Sequence, residues 1–295
     1  MNIGIRLHDT AGTNLAEHLA AARAQGFTCV HLALARLIPG FTMNDAPTLL
    51  TDELAAQVKA ELDKHGQTCV LLGCYLNLCS PDLVSHEKTV EIYKAHLTFA
   101  RKIGALLVGT ETGAPNATYA TCPECYTEEA LQLFIDRVTP VVRYAEEIGQ
   151  DFAIEPVIRH IVSTPERCER VLAAIGSPRL KVILDAVNLL SEDNAADAKA
   201  VIADGIARLG KDVALLHMKD FTPAVGEKGQ QLMATVPNSE IYSNVVSCAC
   251  GLGDMDYAPL VALAKAQHIP MTLENTNPGN AVAARQHLEK VGMTL

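Results

Sequence analysis

Eight short apolar runs alternate with Ala- and Leu-rich segments along the whole 295-residue chain. The runs span 2–8, 28–34, 68–76, 105–110, 151–156, 180–185, 212–220 and 270–275. Runs of this length and apolar character are typical of buried strands, and the segments between them have the length of helices. Alternating β and α units place the strands parallel in one sheet. Eight such units in a chain of this length predict an α/β fold, a (β/α)8 TIM barrel that forms a single domain.

Glycines mark the ends of most predicted helices. The expected C′ positions are Gly26, Gly66, Gly104, Gly149, Gly176 and Gly210. The expected N-caps are Thr51, Ser85, Thr127 and Thr164. An open doubly wound sheet is the competing architecture, but it requires a glycine-rich loop after the first strand. The stretch LHDTAGTN at 7–14 contains a single glycine, which favours the closed barrel.

Residues 221–255 are the one long segment that the repeating pattern does not explain. A segment of this length within a compact domain is usually functional or has secondary structure of its own. We therefore expect a single domain over residues 1–295, in which the segment at 221–255 is inserted as a lid over the barrel mouth or as a dimer contact.

Composition and charge argue against several classes of protein. The formal net charge of −10 disfavours nucleic acid as a partner, because proteins that track phosphates carry a basic face. No apolar run reaches the length of a membrane span, and the first residues, MNIGIRLHD, lack the basic and apolar regions of a signal peptide. Nine cysteines, several within apolar runs, indicate reduced thiols. The sequence therefore predicts a cytoplasmic protein with no membrane partner.

Four consecutive predicted strands each end in a residue that can bind a metal. Glu155, Asp185, His217 and Glu274 follow the apolar runs FAI, VIL, ALL and MTL. The carboxyl ends of barrel strands surround one site, so these side chains are expected to meet. Any one of them alone is explained as a polar group capped by a loop, but three adjacent carboxylates would repel without a cation between them. We therefore predict one divalent metal ion shared by all four residues.

Three carboxylates and one imidazole form a hard, oxygen-rich donor set. Such a set favours Mn²⁺, Mg²⁺ or Co²⁺ over a zinc centre built from thiolates. Mn²⁺ is the first expectation, and Mg²⁺, Co²⁺ or Zn²⁺ are the alternatives. Four protein ligands would leave about two positions of an octahedral shell open for adjacent substrate oxygens. Cys122 and Cys125 of the CPEC motif, with Cys248 and Cys250 as the other half, are a weaker candidate for a zinc site.

Further polar residues near the strand ends are candidates for binding a substrate: Asn188, His160, Lys219, His8, Glu111 and Arg159. Lys219 is two residues beyond His217 and shares its inward face if the strand continues. Three of the candidates have equally simple structural explanations. His8 is also explained as a core histidine, Glu111 as a helix cap and Arg159 as half of a surface ion pair.

Several short motifs occur in an order that spans nearly the whole chain. They are IEP at 154–156, LD at 184–185, HMKD at 217–220, GLGDMDY at 251–257 and LEN at 273–275. In this order they resemble the xylose isomerase-like barrel superfamily of sugar and sugar-phosphate isomerases and epimerases. Within it the pattern is most similar to the ketose 3-epimerases, which use Glu, Asp, His and Glu on strands five to eight. The resemblance implies the same barrel and the same four ligands.

The resemblance also implies a second role for Glu155 and Glu274, as an acid–base pair on opposite faces of a bound ketose. The metal would polarise the carbonyl, one glutamate would remove the α proton to give an enediolate, and the other would return a proton to the opposite face. Proton return at the neighbouring carbon would instead interconvert an aldose and a ketose. Two positions depart from the epimerases: Asn188 stands for a histidine and Ile161 for an acidic residue. These departures concern the substrate and the reaction, and they leave the four ligands intact.

The leading function is therefore a metal-dependent sugar isomerase or epimerase acting on a small carbohydrate or polyol. A lyase or dehydratase on a keto-inositol or a related acid would begin with the same α-proton abstraction. More distant alternatives are a non-catalytic sugar-binding protein and an apurinic-site endonuclease, although such nucleases need more strand-end histidines than this chain offers. No arginine cluster marks a phosphate site, which favours a free sugar. Homo-oligomer formation is expected from the resemblance alone.

Overall fold

The computed structural model describes residues 1–294, and at Tyr242 it describes the backbone only. The described strands are β1 (Ile3–Arg6), β2 (Cys29–Leu32), β3 (Thr68–Gly73), β4 (Leu107–Glu111), β5 (Asp151–Glu155), β6 (Leu180–Asp185), β7 (Val213–Met218), β8 (Asp220–Pro223), β9 (Glu240–Tyr242), β10 (Val245–Cys248) and β11 (Met271–Leu273). All except β8, β9 and β10 belong to a closed barrel with the spatial order β1-β11-β7-β6-β5-β4-β3-β2. Every neighbouring pair in it is parallel, which confirms the predicted TIM barrel.

Helices follow the barrel strands and pack against one another around them, as the alternating pattern predicts. The described α-helices are α1 (Leu15–Ala24), α2 (Leu34–Leu37), α3 (Ala46–Leu49), α4 (Asp52–Lys64), α5 (Leu83–Ile103), α6 (Glu128–Ile148), α7 (Pro165–Ile175), α8 (Ala198–Leu209), α9 (Glu227–Thr235), α10 (Ala258–Gln267) and α11 (Ala281–Met293). None of these helices combines the length and the apolar character needed to cross a membrane.

A buried apolar cluster fills the inside of the barrel and consists of Cys29, Val70, Leu71, Leu107, Ala153, Ile183 and Leu215. The packing is tight enough that a Cβ on Gly109 would lie 2.5 Å from Cδ1 of Ile183. Side chains alternate along a strand, so the residue two positions beyond an inward-pointing member of this cluster also points inward. On β5, β6 and β7 those residues are Glu155, Asp185 and His217. The apolar cluster therefore lies directly below the predicted site, inside the barrel.

Helix ends follow the predicted capping residues with two exceptions. The N-caps that the structure confirms, each accepting a bond from the backbone N–H three residues on, are Thr51, Thr127 and Thr164. The prediction for Ser85 is wrong, because α5 begins earlier and the Ser85 N–H donates to the side chain of Asp82 at 3.0 Å. The prediction for Gly210 is also wrong, because its φ of −52° is right-handed, whereas the other five predicted glycines have positive φ.

The segment at 221–255 has secondary structure of its own. Strands β8, β10 and β9 form an antiparallel sheet in that order, and α9 lies between β8 and β9 in the chain. Asparagines attach this segment to the loop after β11: Asn238 donates to the carbonyl of Thr276, and Asn275 donates to the carbonyl of Asn238 at 2.7 Å. The segment is therefore held beside the carboxyl end of the last barrel strand. Its role as a lid or dimer contact stays a prediction.

His96 on α5 is a buried histidine away from the strand ends. Its Nδ1 lies 2.8 Å from the carbonyl oxygen of Ile92, and its ring meets Phe41 edge-on. Burial lowers the pKa of His96 to about 4, because the charged ring would lose its hydration, and the Ile92 carbonyl opposes this shift only in part. The imidazole is therefore neutral in the folded protein near neutral pH.

We expect His96 to destabilise the protein as the pH falls from about 6.5 towards 4. In this window the unfolded chain binds a proton at His96 and the folded protein does not, so each pH unit lowers the free energy of unfolding by up to ~1.4 kcal/mol. Urea unfolding of the wild type and His96→Leu tests this, with the packing change measured at about pH 8 as the reference. Between about pH 8 and pH 5 the wild type should lose about 2 kcal/mol more than the variant. Equal losses would contradict the prediction.

Candidate metal centre and substrate cavity

A cavity of about 300 Å³ opens at the carboxyl ends of the barrel strands. Six of the predicted site residues line it: His8, Glu111, Glu155, Asn188, Lys219 and Glu274. Asp185 and His217 are buried in contact with these residues, at 0% and 2% exposure. The six lining residues and these two buried ones bring eight of the ten predicted positions together at the barrel mouth.

The strand register explains why these side chains meet. Glu155 and Asp185 are the last residues of β5 and β6, His217 is the last but one residue of β7, and Glu274 directly follows β11. Pairing across neighbouring strands aligns Asp185 with His217, and Glu111 with Glu155. Parallel strands in register carry their last side chains to one level, so residues far apart in the sequence become neighbours.

His217 lies at the centre of the carboxylates. Its Nδ1 is 3.2 Å from Oε2 of Glu155 and 3.5 Å from Oε1 of Glu274. Burial disfavours a charge on the ring, but the carboxylates of Glu274 and Glu155 outweigh burial and raise the pKa of His217 to about 9. Burial raises the pKa of Asp185 to about 6, although the charge of Lys219 opposes this. Both shifts follow from placing several acids together away from water.

Two glutamates that line the cavity differ in protonation. Burial alone would raise the pKa of Glu274, but nearby cations, His217 and Arg6 foremost, hold it well below its usual range. Burial, and then the charge of Glu155, raise the pKa of Glu111 to about 7. At neutral pH Glu274 is therefore ionised, whereas part of the Glu111 population is protonated.

Lys219 is the internal counter-charge of the site. Its Nζ is 2.8 Å from Oδ2 of Asp185 and 3.7 Å from Oε2 of Glu274. It also donates to Oδ1 of Asn188 at 2.8 Å, while Nδ2 of Asn188 donates to Oε1 of Glu155 at 2.6 Å. The Asn188 amide therefore connects the ammonium to a carboxylate: its oxygen accepts from Lys219 and its nitrogen donates to Glu155. The ammonium marks a position at which the surrounding carboxylates stabilise positive charge.

The donor set fits a divalent cation. Among the described residues, one group of closely spaced ligand atoms comes from Glu155, Asp185 and His217, and a second comes from His31, His217 and Glu274. Within each group the ligand atoms lie within 4.8 Å of one another. The ring of His217 is buried, yet neither of its nitrogens makes a hydrogen bond of good geometry with a described residue. Buried polar atoms without partners are costly, and a cation bound by them would remove that cost.

Three of the predicted substrate-binding residues, His8, His160 and Arg159, lie outside the barrel strands, and two of them do not line the cavity. Strand β1 ends at Arg6, so His8 lies in the short 3-10 helix that follows, where burial and then Arg6 lower its pKa to about 4. His160 is buried with Nδ1 3.7 Å from Oε2 of Glu111 but does not line the cavity. Arg159 does not line the cavity either. Of these three, only His8 faces the space where a substrate would bind.

Cys122 and Cys125 form a close pair with their sulfur atoms 3.7 Å apart. Neither belongs to a group of three or more potential ligands among the described residues. Cys248 lies in β10 of the inserted sheet, where it pairs with Asp220, and Cys250 follows shortly after. The four cysteines therefore do not come together as a zinc site in the described part of the chain.

The cavity is also lined by residues that were not predicted from the sequence: Arg6, His31, Tyr75, Glu240, Ser247 and Asn275. The sequence does contain a signal for His31, which stands two positions beyond Cys29 of the inner apolar cluster, as His217 does beyond Leu215. Glu240 and Ser247 belong to the inserted sheet. Which face of a short strand is buried there depends on its register with its neighbours, and the sequence does not reveal it.

Residues 19–291 match the family model of the xylose isomerase-like TIM barrels, and the chain belongs to this family. The match begins within α1 and ends within α11, so it includes every strand that carries a predicted ligand. No curated protein sequence matches the chain. The resemblance inferred from the short motifs is therefore confirmed at the level of the family.

Solved structures of this fold cover almost the whole chain. A 3-keto-D-glucoside 4-epimerase from E. coli is 15% identical with a TM-score of 0.70, over 98% of this chain and 99% of that one. The "probable 3-DHS dehydratase" AsbF from Bacillus anthracis is 13% identical with a TM-score of 0.71, over 98% of both chains. A xylose isomerase-like TIM barrel protein from Mycobacterium smegmatis, in complex with magnesium, is 15% identical with a TM-score of 0.66, over 99% and 94%. At these identities the likeness establishes the fold.

We expect the variant Lys219→Met to bind Mn²⁺ at least about tenfold more tightly than the wild type. The ammonium contacts Asp185 and Glu274 and therefore competes with a cation for the same carboxylates, and a tenfold change is about 1.4 kcal/mol. Titration of the metal-free proteins, followed by calorimetry, measures the change. Lys94→Met, which removes a lysine paired with Glu91 on the surface of α5, is the control. Weaker or unchanged binding by Lys219→Met would show that the ammonium and the cation do not compete.

Proposed function

We propose that the protein is a divalent-metal-dependent sugar isomerase or epimerase that acts by α-proton abstraction through an enediolate intermediate. The observation that carries the proposal is the placement of Glu155 and Glu274. Both line the cavity, and both approach the same nitrogen of His217 from strands that β6 and β7 separate in the barrel order. Two carboxylates on different sides of one cavity are suited to remove a proton from one face of a substrate and to return a proton to the other.

The residues that would hold the cation are Glu155, Asp185, His217 and Glu274. When bound, a divalent cation would polarise a substrate carbonyl and stabilise the negative charge that develops on its oxygen. Mn²⁺ is our first choice because carboxylates dominate this donor set. Structures of this fold were solved with magnesium, in the protein from Mycobacterium smegmatis, and with zinc, in the IOLI protein, which supports a divalent cation of either kind.

The two glutamates differ in what surrounds them. Neighbouring cations keep Glu274 ionised, and only the ionised form of a carboxyl group can accept the proton α to a carbonyl. Glu155 accepts a hydrogen bond from the Asn188 amide at 2.6 Å, which fixes the orientation of its carboxylate on the other side of the cavity. We therefore assign proton removal to Glu274 and proton return to Glu155, with the roles exchanged in the reverse reaction.

The lining of the cavity favours a small polyhydroxylated substrate. His8, Glu111, Asn188 and Lys219 present donors and acceptors to the space, and Ala33 is the one aliphatic side chain among the lining residues described. A carbohydrate or polyol uses such groups through its hydroxyls. Arg159 and His160, which do not line the cavity, would act on a substrate only through other residues. Homo-oligomer formation and a cytoplasmic location remain predictions.

A dehydratase acting on a cyclic ketone or polyol acid is the second candidate, and Glu111 favours it. Elimination of water needs a general acid to protonate the leaving hydroxyl, and the pKa of Glu111, raised to about 7 by burial and by Glu155, keeps part of its population protonated at neutral pH. The likeness of the fold to the structure described as a 3-DHS dehydratase is consistent with this reaction. Both candidates share the first step, proton abstraction next to a carbonyl.

Solvent-proton exchange tests the proposal directly. The metal-free protein is loaded with Mn²⁺ in D₂O, mixed with a panel of ketoses and followed by NMR. We expect deuterium to enter one ketose next to its carbonyl, and Glu155→Gln or Glu274→Gln to lower the rate of product formation by at least about 100-fold. Glu147→Gln, an exposed glutamate on α6, is the control and should leave the rate unchanged.

The outcomes separate the candidate functions. Loss of water from a substrate, seen as a new alkene signal, would replace the epimerase by the dehydratase, and Glu111→Gln should then lower the rate of elimination. If ketoses bind and neither exchange nor elimination occurs with Mn²⁺ present, both enzymatic proposals fail and a sugar-binding protein is left.

A further inference from the structure

His31 on β2 faces the ligand set from a strand that carries none of the four predicted ligands. The side chain is 1% exposed, and its Nδ1 makes no hydrogen bond with a described residue. That nitrogen lies 4.0 Å from Oε1 of Glu274. His31, Glu274 and His217 together present three ligand atoms that lie within 4.8 Å of one another. A buried, unpartnered nitrogen is thus directed at the carboxylate that the proposed cation would use.

The orientation of the His31 ring is set by the residues around it. The hydroxyl of Tyr75 lies 3.4 Å from Nε2. Space for this contact depends on Gly73, because a Cβ there would come within 2.6 Å of the Tyr75 ring and 2.8 Å of Nε2 of His31. Metal-binding histidines usually use their second ring nitrogen in a hydrogen bond of this kind, which fixes the ring and leaves the other nitrogen to the metal.

The arrangement of Nδ1 of His31 opposite the Glu274 carboxylate favours a cation between them. If Nε2 of His31 carries the proton and donates it to the Tyr75 oxygen, Nδ1 has a lone pair. That lone pair then faces Glu274, and both groups are acceptors with no proton between them. Buried acceptors that face one another repel, and a shared cation converts the repulsion into two bonds to the metal.

We propose that His31 is a fifth protein ligand of the divalent cation, in addition to Glu155, Asp185, His217 and Glu274. This inference rests on the metal-dependent function proposed above and refines its ligand set. Two imidazoles beside three carboxylates make the site softer than the four strand-end ligands alone. Imidazole suits Zn²⁺ and Co²⁺ better than Mg²⁺, so His31 would shift the metal preference away from Mg²⁺. It would also occupy a coordination position that solvent or substrate would otherwise take.

The test compares metal binding by the wild type and His31→Gln, with Co²⁺ and Mg²⁺ alone as probes and no substrate present. Competition with a chromophoric chelator gives the affinities, and the visible absorption of bound Co²⁺ reports the ligand set. We expect His31→Gln to weaken Co²⁺ binding at least about tenfold and to change the absorption bands, whereas Mg²⁺ binding changes less than about threefold. His65→Gln, a histidine at the end of α4 that does not line the cavity and is in neither ligand group, should change neither property.

A second variant keeps the test decisive if His31→Gln does not fold. Tyr75→Phe retains the ring and removes only the hydroxyl near His31, so Co²⁺ affinity should fall about three- to tenfold. Unchanged affinity and unchanged absorption bands in the folded variants would overturn the proposal and leave His31 as a buried histidine that only lines the cavity. Suppose that His31→Gln alters the spectrum of bound Co²⁺ but the wild type exchanges no ketose proton. His31 is then a metal ligand, and the proposed sugar function fails. If the wild type binds no divalent cation, both proposals fail.

Discussion

The convergence of acidic side chains on one buried imidazole is the constraint on which the barrel mouth depends. Glu155 and Glu274 both approach Nδ1 of His217, and Asp185 is fully buried beside Lys219. Charges interact strongly where water is scarce, so no member of this set can change its charge without altering the others. The raised pKa values of His217 and Asp185 and the lowered pKa of Glu274 all follow from burial combined with the charges of the same few neighbours. The surrounding structure, from strand register to the Asn188 amide, holds these charges at distances where they balance.

Much of the fold and of this site is determined by patterns that the sequence displays. Eight alternating units define a barrel, and the period of two along a strand relates each inner apolar residue to the residue above it. Glu155, Asp185 and His217 stand above Ala153, Ile183 and Leu215 for this reason. These residues were predictable because the position of a barrel strand end depends on local apolar runs, which are read directly from the chain.

Other features depend on contacts between distant residues. His31 is the last but one residue of β2, as His217 is of β7, but the predicted strand runs to residue 34, so a search of predicted strand ends passes over His31. The start of α5 is fixed by the side chain of Asp82, and Gly210 keeps a right-handed backbone although it follows a helix. The contribution of Glu240 to the cavity requires the register of the inserted sheet. Each of these outcomes is decided by tertiary packing or by competing local hydrogen bonds, which no single window of sequence contains.

The predicted metal ligands and part of the remaining cavity lining come from two separate sheets. The four predicted metal ligands lie at the ends of barrel strands, whereas Glu240 and Ser247 reach the cavity from a separate antiparallel sheet. That sheet is joined to the barrel near the active end by amide contacts such as Asn238 with Asn275. Exchange or lengthening of this segment in descendants of the protein would reshape the entrance while the charged centre stays intact. On the function proposed above, such a change would alter which substrates bind and leave the proposed metal ligands in place.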